Sequence, residues 1–418
     1  MVKVNMDAEK KNLFKILLRF LGPGFLITVG FIDPGNWTTN IAGGSEFGYD
    51  LLWVITLSTL MLILIQNMSA KVGIATGMSL AANIRERFPK ALSALIGITI
   101  VLACVATDVA ELLGGAIGFR LLFRVPLWIG ALITVILEVF FIVTQRYHKL
   151  EKYILSFLGI ISICYLIEIF IVNPEWGKIA TAIVIPKISQ SNIYIAMGIL
   201  GAVVMPHNIF LHSNVIHSRN WGKTDEEKLK LLHYEKLDTT LAMILGWAVN
   251  SSMIIVAAAV FFKNGVVVDS IQQASDTLKP LAGNLAGLLF AIALVFAGVS
   301  SSITSSMAEV NVITAFLGKP EDPKTTLYKI ATFITALPSF FIILMGFDTF
   351  KILIFSQVVL SLQLPFTLIP LLILCKNEKA MGKLKSSNTE FVLAMVVSAV
   401  VIFLNIYLLY STIQPQRG

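Results

Sequence analysis

The chain has 418 residues, of which 56% are hydrophobic and 14% charged, with a formal net charge of +7. The charged share is far below the roughly 25% of soluble domains, and mean hydropathy is +0.82. A soluble enzyme, a disordered regulator and a secreted disulfide scaffold are excluded, because folded soluble chains need a charged skin. What remains is a polytopic membrane protein. At about 20 apolar residues per helical span, the length allows about ten to twelve spans and leaves almost nothing for a soluble domain. Three cysteines, Cys104, Cys164 and Cys375, are too few and too scattered for a disulfide framework or a zinc site. Each sits in an apolar run, where it reads as a small core hydrophobe.

In chain order, eleven apolar segments are expected, near 22–47, 50–70, 92–119, 126–144, 153–173, 193–217, 239–262, 281–317, 328–346, 352–374 and 390–412. The first is long, carries an aspartate in its middle and lacks a small-residue cleavage site, so it is not a signal peptide. Helix-stop and loop chemistry marks the junctions at Pro89, Pro126, Pro174, Pro186, Gly222, Pro280, Pro320 and Pro323. Basic residues set the orientation. The N-terminal tail (Lys3, Lys10, Lys11, Lys15, Arg19) and the even-to-odd loops together hold 24 of the 32 Lys and Arg; eight lie on the other side. This imbalance predicts a cytoplasmic N-terminus and, with eleven spans, an extracellular C-terminus in a plasma-membrane protein. The positive charge belongs to loops facing anionic lipid, so a nucleic-acid partner is not expected.

Two segments are interrupted. The first holds Asp33, Pro34, Gly35 and Asn36 at its centre, and the sixth holds Gly201, Met205, Pro206, His207 and Asn208. Proline removes a backbone donor and clashes with the preceding turn, and glycine adds freedom beside it. Pro34, Gly35 and Pro206 therefore predict helix breaks near mid-bilayer, where irregular backbone survives only if it lines protein or water. Five spans separate the breaks, so the two halves of the chain have opposite topology. Paired breaks of this kind mark the substrate site of an inverted-repeat transporter. Candidate ligands are Asp33, Asn36, the Ala202 carbonyl and the Met205 thioether. Hard oxygen donors suit many divalent ions, whereas a thioether favours softer first-row transition ions over calcium and magnesium.

Further intramembrane polar residues are His207, His212, Asp108, Glu111, Glu138, Glu168, Asn250 and Gln357. A histidine side chain such as that of His212 can carry a proton. Asp108 and Glu111, spaced i, i+3, share a helix face and form a plausible relay, or else pair with a base to hold the bundle. Glu138 and Glu168 lack such company and read as structural. No P-loop is present, and His212 has no serine or cysteine partner by motif, so ATP-driven pumping and intramembrane proteolysis are not expected. The chain is not read as an enzyme.

Asp33-Pro34-Gly35-Asn36, Met205-Pro206-His207-Asn208, Ala106-Thr107-Asp108-Val109-Ala110-Glu111 and Phe355-Ser356-Gln357-Val358 resemble the Nramp family of proton-coupled divalent transition-metal transporters over roughly residues 20–412. The resemblance implies an all-α LeuT-type fold of eleven transmembrane helices with spans 1 and 6 broken. Its divisions are a cytoplasmic tail (1–19), a first inverted repeat (20–173), a second (174–374), and a loop with span 11 and a short external C-terminus (375–418). It implies a metal site of Asp33, Asn36, Ala202, Met205 and Gln357, and a proton path through Asp33, His212, Asp108 and Glu111. Manganese or ferrous iron and protons are the implied substrates, with cadmium and cobalt carried adventitiously, and no cofactor or obligate protein partner is implied. Rival readings are a metal uniporter of the same fold and a cation-coupled amino-acid symporter. Two departures stand out. Val299 occupies a place where the family usually has glutamine, and Thr332 lies where it usually has arginine, with Lys329 the nearest base.

Overall fold

A computed structural model describes residues 22–144 and 147–413. The basic N-terminal tail, Arg146 and Arg417 therefore lie outside the described residues. Among the described residues every regular element is helical, and ten helices are long and apolar enough to cross a membrane. The first expected segment is realised as two shorter helices, Pro23–Gly30 and Pro34–Phe47, of 8 and 14 residues. Neither is long enough to cross by itself.

Most spans fall where hydropathy placed them: Leu52–Thr76, Lys90–Phe123, Leu127–Thr144, Tyr147–Val172, Asn284–Phe316, Thr326–Leu344, Thr349–Lys376 and Asn388–Ile413. The sixth is split into Ile193–Val204 and Pro206–Val215. The seventh departs most. The helix runs Asp225–Val260, starting fourteen residues before the expected position 239. Its polar first turns are helical because Thr224 and Glu227 form a reciprocal capping box and Asp225, Glu226 and Glu227 sit at the positive end of the helix dipole. Pro280 is also not a junction; it lies inside the helix Ile271–Ala282. Two more short helices occupy connections, Leu80–Arg87 and Trp176–Ala182.

The apolar residues that face the interior form one main cluster running through the broken helices and their neighbours. Many of the outermost side chains are also apolar, such as Phe170 at 77% and Phe403 at 66% exposure. That is the pattern of a chain whose outer surface meets hydrocarbon instead of water. Helices Lys90–Phe123 and Asn284–Phe316 pack backbone to backbone. A Cβ on Gly298 would lie 2.5 Å from the Gly115 nitrogen, so only glycine fits there.

Candidate functional site

Both breaks are built locally. In the first, Asp33 has extended backbone (φ −78°, ψ 165°) and caps the helix Pro34–Phe47. Its carboxylate accepts from the Gly35 and Asn36 amides, each at 2.9 Å. Proline at the first helical position suits this geometry, since its missing donor would be unsatisfied anyway. In the second, Met205 lies between the two halves with φ +28° and ψ 99°. That is a costly conformation for a residue with a side chain, and it persists only where the surroundings impose it.

The carbonyls freed by the breaks are held across the fold. The Asn36 side-chain amide donates to Phe31 O at 2.6 Å and to Ala202 O at 2.9 Å. Asn250, from the helix Asp225–Val260, also donates to Phe31 O, at 3.0 Å, and accepts from Asn40 at 2.9 Å. Gln357 approaches from the helix Thr349–Lys376, with Nε2 3.4 Å from Asp33 Oδ2. Asn208 Nδ2 lies 3.3 Å from the Met205 sulfur. Asp33, Asn36, Ala202, Met205 and Gln357 all have 0% exposure, so all five are closed off from solvent.

The structure thus brings together the five residues expected to hold the ion. Their donor set is one carboxylate, two amide side chains, a backbone carbonyl and a thioether. Among the described residues no cluster of three or more His, Cys, Asp or Glu has metal-site geometry, so the set is poor in charge. Asn36 Oδ1, Asn208 Oδ1 and Gln357 Oε1 are buried acceptors without a hydrogen-bond donor. Buried acceptors normally find a donor, and orphaned oxygens on Asn36 and Gln357, both in contact with Asp33, suit a cation. Asn208 was not among the expected ligands; its place in the motif beside Met205 was the available signal.

Of the expected proton residues, Glu111 lies within electrostatic reach of both Asp33 and Asp108, whereas His212 is bonded to other side chains. His212 is engaged on both ring nitrogens, by Gln66 Oε1 at 2.9 Å and Glu235 Oε1 at 2.8 Å. Its partner Glu235 is fully buried, and Thr239 also donates to it, at 3.0 Å. Glu235 and Asp238 sit in a charged run that reads as a loop, and the early helix start draws them inside. Asp238 accepts from the Gly22 and Gly24 amides at 3.0 and 2.7 Å, anchoring the start of the first helix.

Asp108 and Glu111 occupy one buried face of Lys90–Phe123. Among the described residues neither is seen in a salt bridge, so the bundle-holding pair with a base is not found there. Asp108 accepts from Ser305 at 2.8 Å, while both Glu111 oxygens lack a donor. Two more carboxyls stand beside them. Glu138 lies within electrostatic reach of Asp108 and Glu111, which corrects the expectation that it lacks company. Glu309, which sequence reasoning passed over, faces Asp108 from Asn284–Phe316 and is 1% exposed. Its signal was a lone glutamate on an otherwise apolar and hydroxyl-rich helix. Glu168 does stand apart from these carboxyls, near Tyr165, and both its oxygens lack a donor. Thr332 and Val299 are buried as ordinary core residues, and Lys329 is exposed.

Comparison with known proteins gives a consistent picture. Residues 24–411 match the Nramp family, described as natural resistance-associated macrophage protein-like. A divalent metal cation transporter, MntH, of Caldanaerobacter subterraneus subsp. tengcongensis is 40% identical, with 98% of each chain covered. The MntH of Bacillus subtilis is 38% identical, covering 96% of this chain and 93% of its own. A solved manganese transporter of Eremococcus coleocola superposes with a TM-score of 0.83 at 29% identity, covering 96% of this chain and 91% of that one. The nucleobase-cation-symport transporter Mhp1 shares the fold with a TM-score of 0.65 at 14% identity, covering 94% of this chain and 90% of its own.

Proposed function

From the premise that this chain belongs to the Nramp family of multi-pass metal transporters, we propose that it imports divalent transition-metal ions, manganese or ferrous iron first, by proton-coupled alternating access. The observation that carries this reading is the site at the two breaks. Asp33 supplies the only formal charge, amide and backbone oxygens complete a hard donor set, and the Met205 sulfur adds a soft one. Calcium and magnesium gain little from a thioether, while manganese, iron, cobalt and cadmium tolerate it. The sulfur thus filters by chemistry against the most abundant divalent ions. The transported ion is substrate, and no further cofactor or protein partner is called for.

The proposed course is simple in outline. The ion enters from outside, sheds most of its water and is taken by Asp33, Asn36, Ala202, Met205 and Gln357. Repacking of the half-helices then opens the inner side, as expected for broken helices at a repeat interface. The repeats are 20–173 and 174–374, with the N-terminus cytoplasmic and the C-terminus extracellular. Asp33, Asp108, Glu111 and His212 are the proposed proton carriers, and Glu309 and Glu138 extend the carboxyl group around Asp108. Carboxyls crowded in a low dielectric can exchange protons among themselves.

The test is manganese uptake into proteoliposomes with internal pH read at the same time. Manganese entry with acidification, indifferent to excess calcium or magnesium, is the expected result. Entry without acidification would leave a uniporter, consistent with Thr332 and Val299 at the departing positions. Normal uptake by Asp33→Ala would refute the site.

A further inference from the structure

On the side proposed above to be cytoplasmic lies a cavity of about 550 Å³, lined among others by Met78, Ser79, Asn214, His217, Met307 and Glu321. In its wall the Glu321 carboxylate accepts two hydrogen bonds from different parts of the chain. Ser79 Oγ donates to Oε1 at 2.9 Å and Asn214 Nδ2 donates to Oε2 at 2.6 Å. Ser79 is the N-cap of the helix Leu80–Arg87 and accepts from Ala82 N at 3.2 Å. Asn214 sits at the end of Pro206–Val215, the inner half of the sixth span. The tie is reinforced on both sides. Asn311, from the helix Asn284–Phe316, donates to Asn214 Oδ1 at 3.0 Å, and the Leu80 amide donates to Ser213 Oγ at 2.7 Å.

We propose that Glu321 is a latch of the inner gate, a positioning residue that fastens the free end of Pro206–Val215 to Leu80–Arg87 and holds the ion's way out closed. The half-helix pivots at Met205, where the backbone is already irregular. Asn214 lies nine residues from that pivot, about 14 Å at 1.5 Å per residue. A carboxylate at the tip of so long a lever controls the swing better than one near the hinge. Both its oxygens are used on elements that must part if the half-helix moves. The inference rests on the transport reading and on the proposed orientation.

Glu321 lies outside the spans, and its carboxyl is raised above the usual glutamate value by burial, with the Ser79 and Asn214 hydrogen bonds opposing the shift. The titratable and charged groups around it are Asp322 of the same loop, Tyr328, His217, and Arg85, which packs against Gly318. A raised carboxyl is neutral below its shifted value, and as pH falls through that value the two donors lose their anionic acceptor. Acid on the inner face therefore loosens the latch, and neutral pH sets it.

The experiment places a cysteine in the cavity, Met307→Cys, and follows labelling by a membrane-impermeant maleimide in inside-out vesicles. Cys104, Cys164 and Cys375 are buried and give little background. Labelling is expected to speed up on the order of tenfold when Glu321→Ala is added. With Glu321 present it should rise as the bath is acidified, and with Glu321→Gln that pH response should disappear. Ser79→Ala, which removes one donor, should move the rate in the same direction by less, and it stands in if the alanine variant at 321 fails to fold. Unchanged rates in these variants, or a pH response that survives Glu321→Gln, would overturn the latch. Manganese binding by calorimetry on the same samples tests the metal reading separately, since labelling needs no transport.

Discussion

Gly114→Ala is the perturbation whose consequence can be worked most directly from the structure. Gly114, on the helix Lys90–Phe123, lies against the ring of Pro34. A Cβ added there would stand 1.9 Å from Pro34 Cβ and 2.0 Å from Cγ. Ordinary contact begins near 3.4 Å, so the two groups must separate by about 1.5 Å, an overpacking that typically costs about 1–3 kcal/mol. The proline ring cannot rotate aside as a flexible side chain would, because it is closed onto its own backbone. The displacement therefore passes to Asp33 and Asn36, which flank the ring within two residues. Ion ligands tolerate errors of only about 0.2 Å. Calorimetric manganese affinity should fall by at least about tenfold, and uptake with it. Gly159→Ala is the control: it adds the same methyl to another spanning helix with nothing within 4 Å, and it should leave binding unchanged. A folded Gly114→Ala protein with wild-type manganese affinity would refute the argument that Pro34 is wedged and that Asp33 moves with it.

Met205→Ala should keep manganese transport but admit calcium or magnesium, read as competition in uptake; unchanged selectivity would end the thioether argument. Glu309→Gln should alter the pH dependence of uptake or the acidification that accompanies it while leaving calorimetric manganese affinity nearly intact, since Glu309 faces Asp108 and is not among the proposed ion ligands. If both acidification and its pH profile are unaffected, Glu309 is outside the proton path. Asn250→Ala leaves the broken first helix without one of its two amide donors at Phe31 O. It should lower stability by about 1–3 kcal/mol, seen as earlier thermal unfolding, and an unshifted transition would show that the Asn36 amide suffices.

The fold was legible in the sequence because a bilayer imposes a one-dimensional rule: apolar runs of sufficient length become spans. The breaks were legible for the same local reason, as Pro34 and Pro206 cannot continue a helix. What failed were one local signal that hydropathy does not weigh and features decided by three-dimensional neighbours. The polar stretch from Asp225 folds as helix because its capping box and first-turn acids favour one, and hydropathy does not register either. That error hid Glu235, the partner of His212. Glu309 was overlooked because one carboxyl among serines has no meaning until the neighbouring helix brings Asp108 opposite. Pro280 reads as a stop, yet it lies in the last turn of Ile271–Ala282, and the helix ends at Ala282.

The double hydrogen bond of Asn36 has a further consequence. One NH₂ group now spends its protons on Phe31 O and Ala202 O, one from each broken segment. Ala202 O is thereby occupied by a donor at the same time as it is counted among the ion's ligands. A carbonyl oxygen has two lone pairs, so in the proposed site an ion at Ala202 O would either share that oxygen with the amide or displace it. The single NH₂ group is a rivet between the two break points, and only an ion that displaces it would take the rivet out.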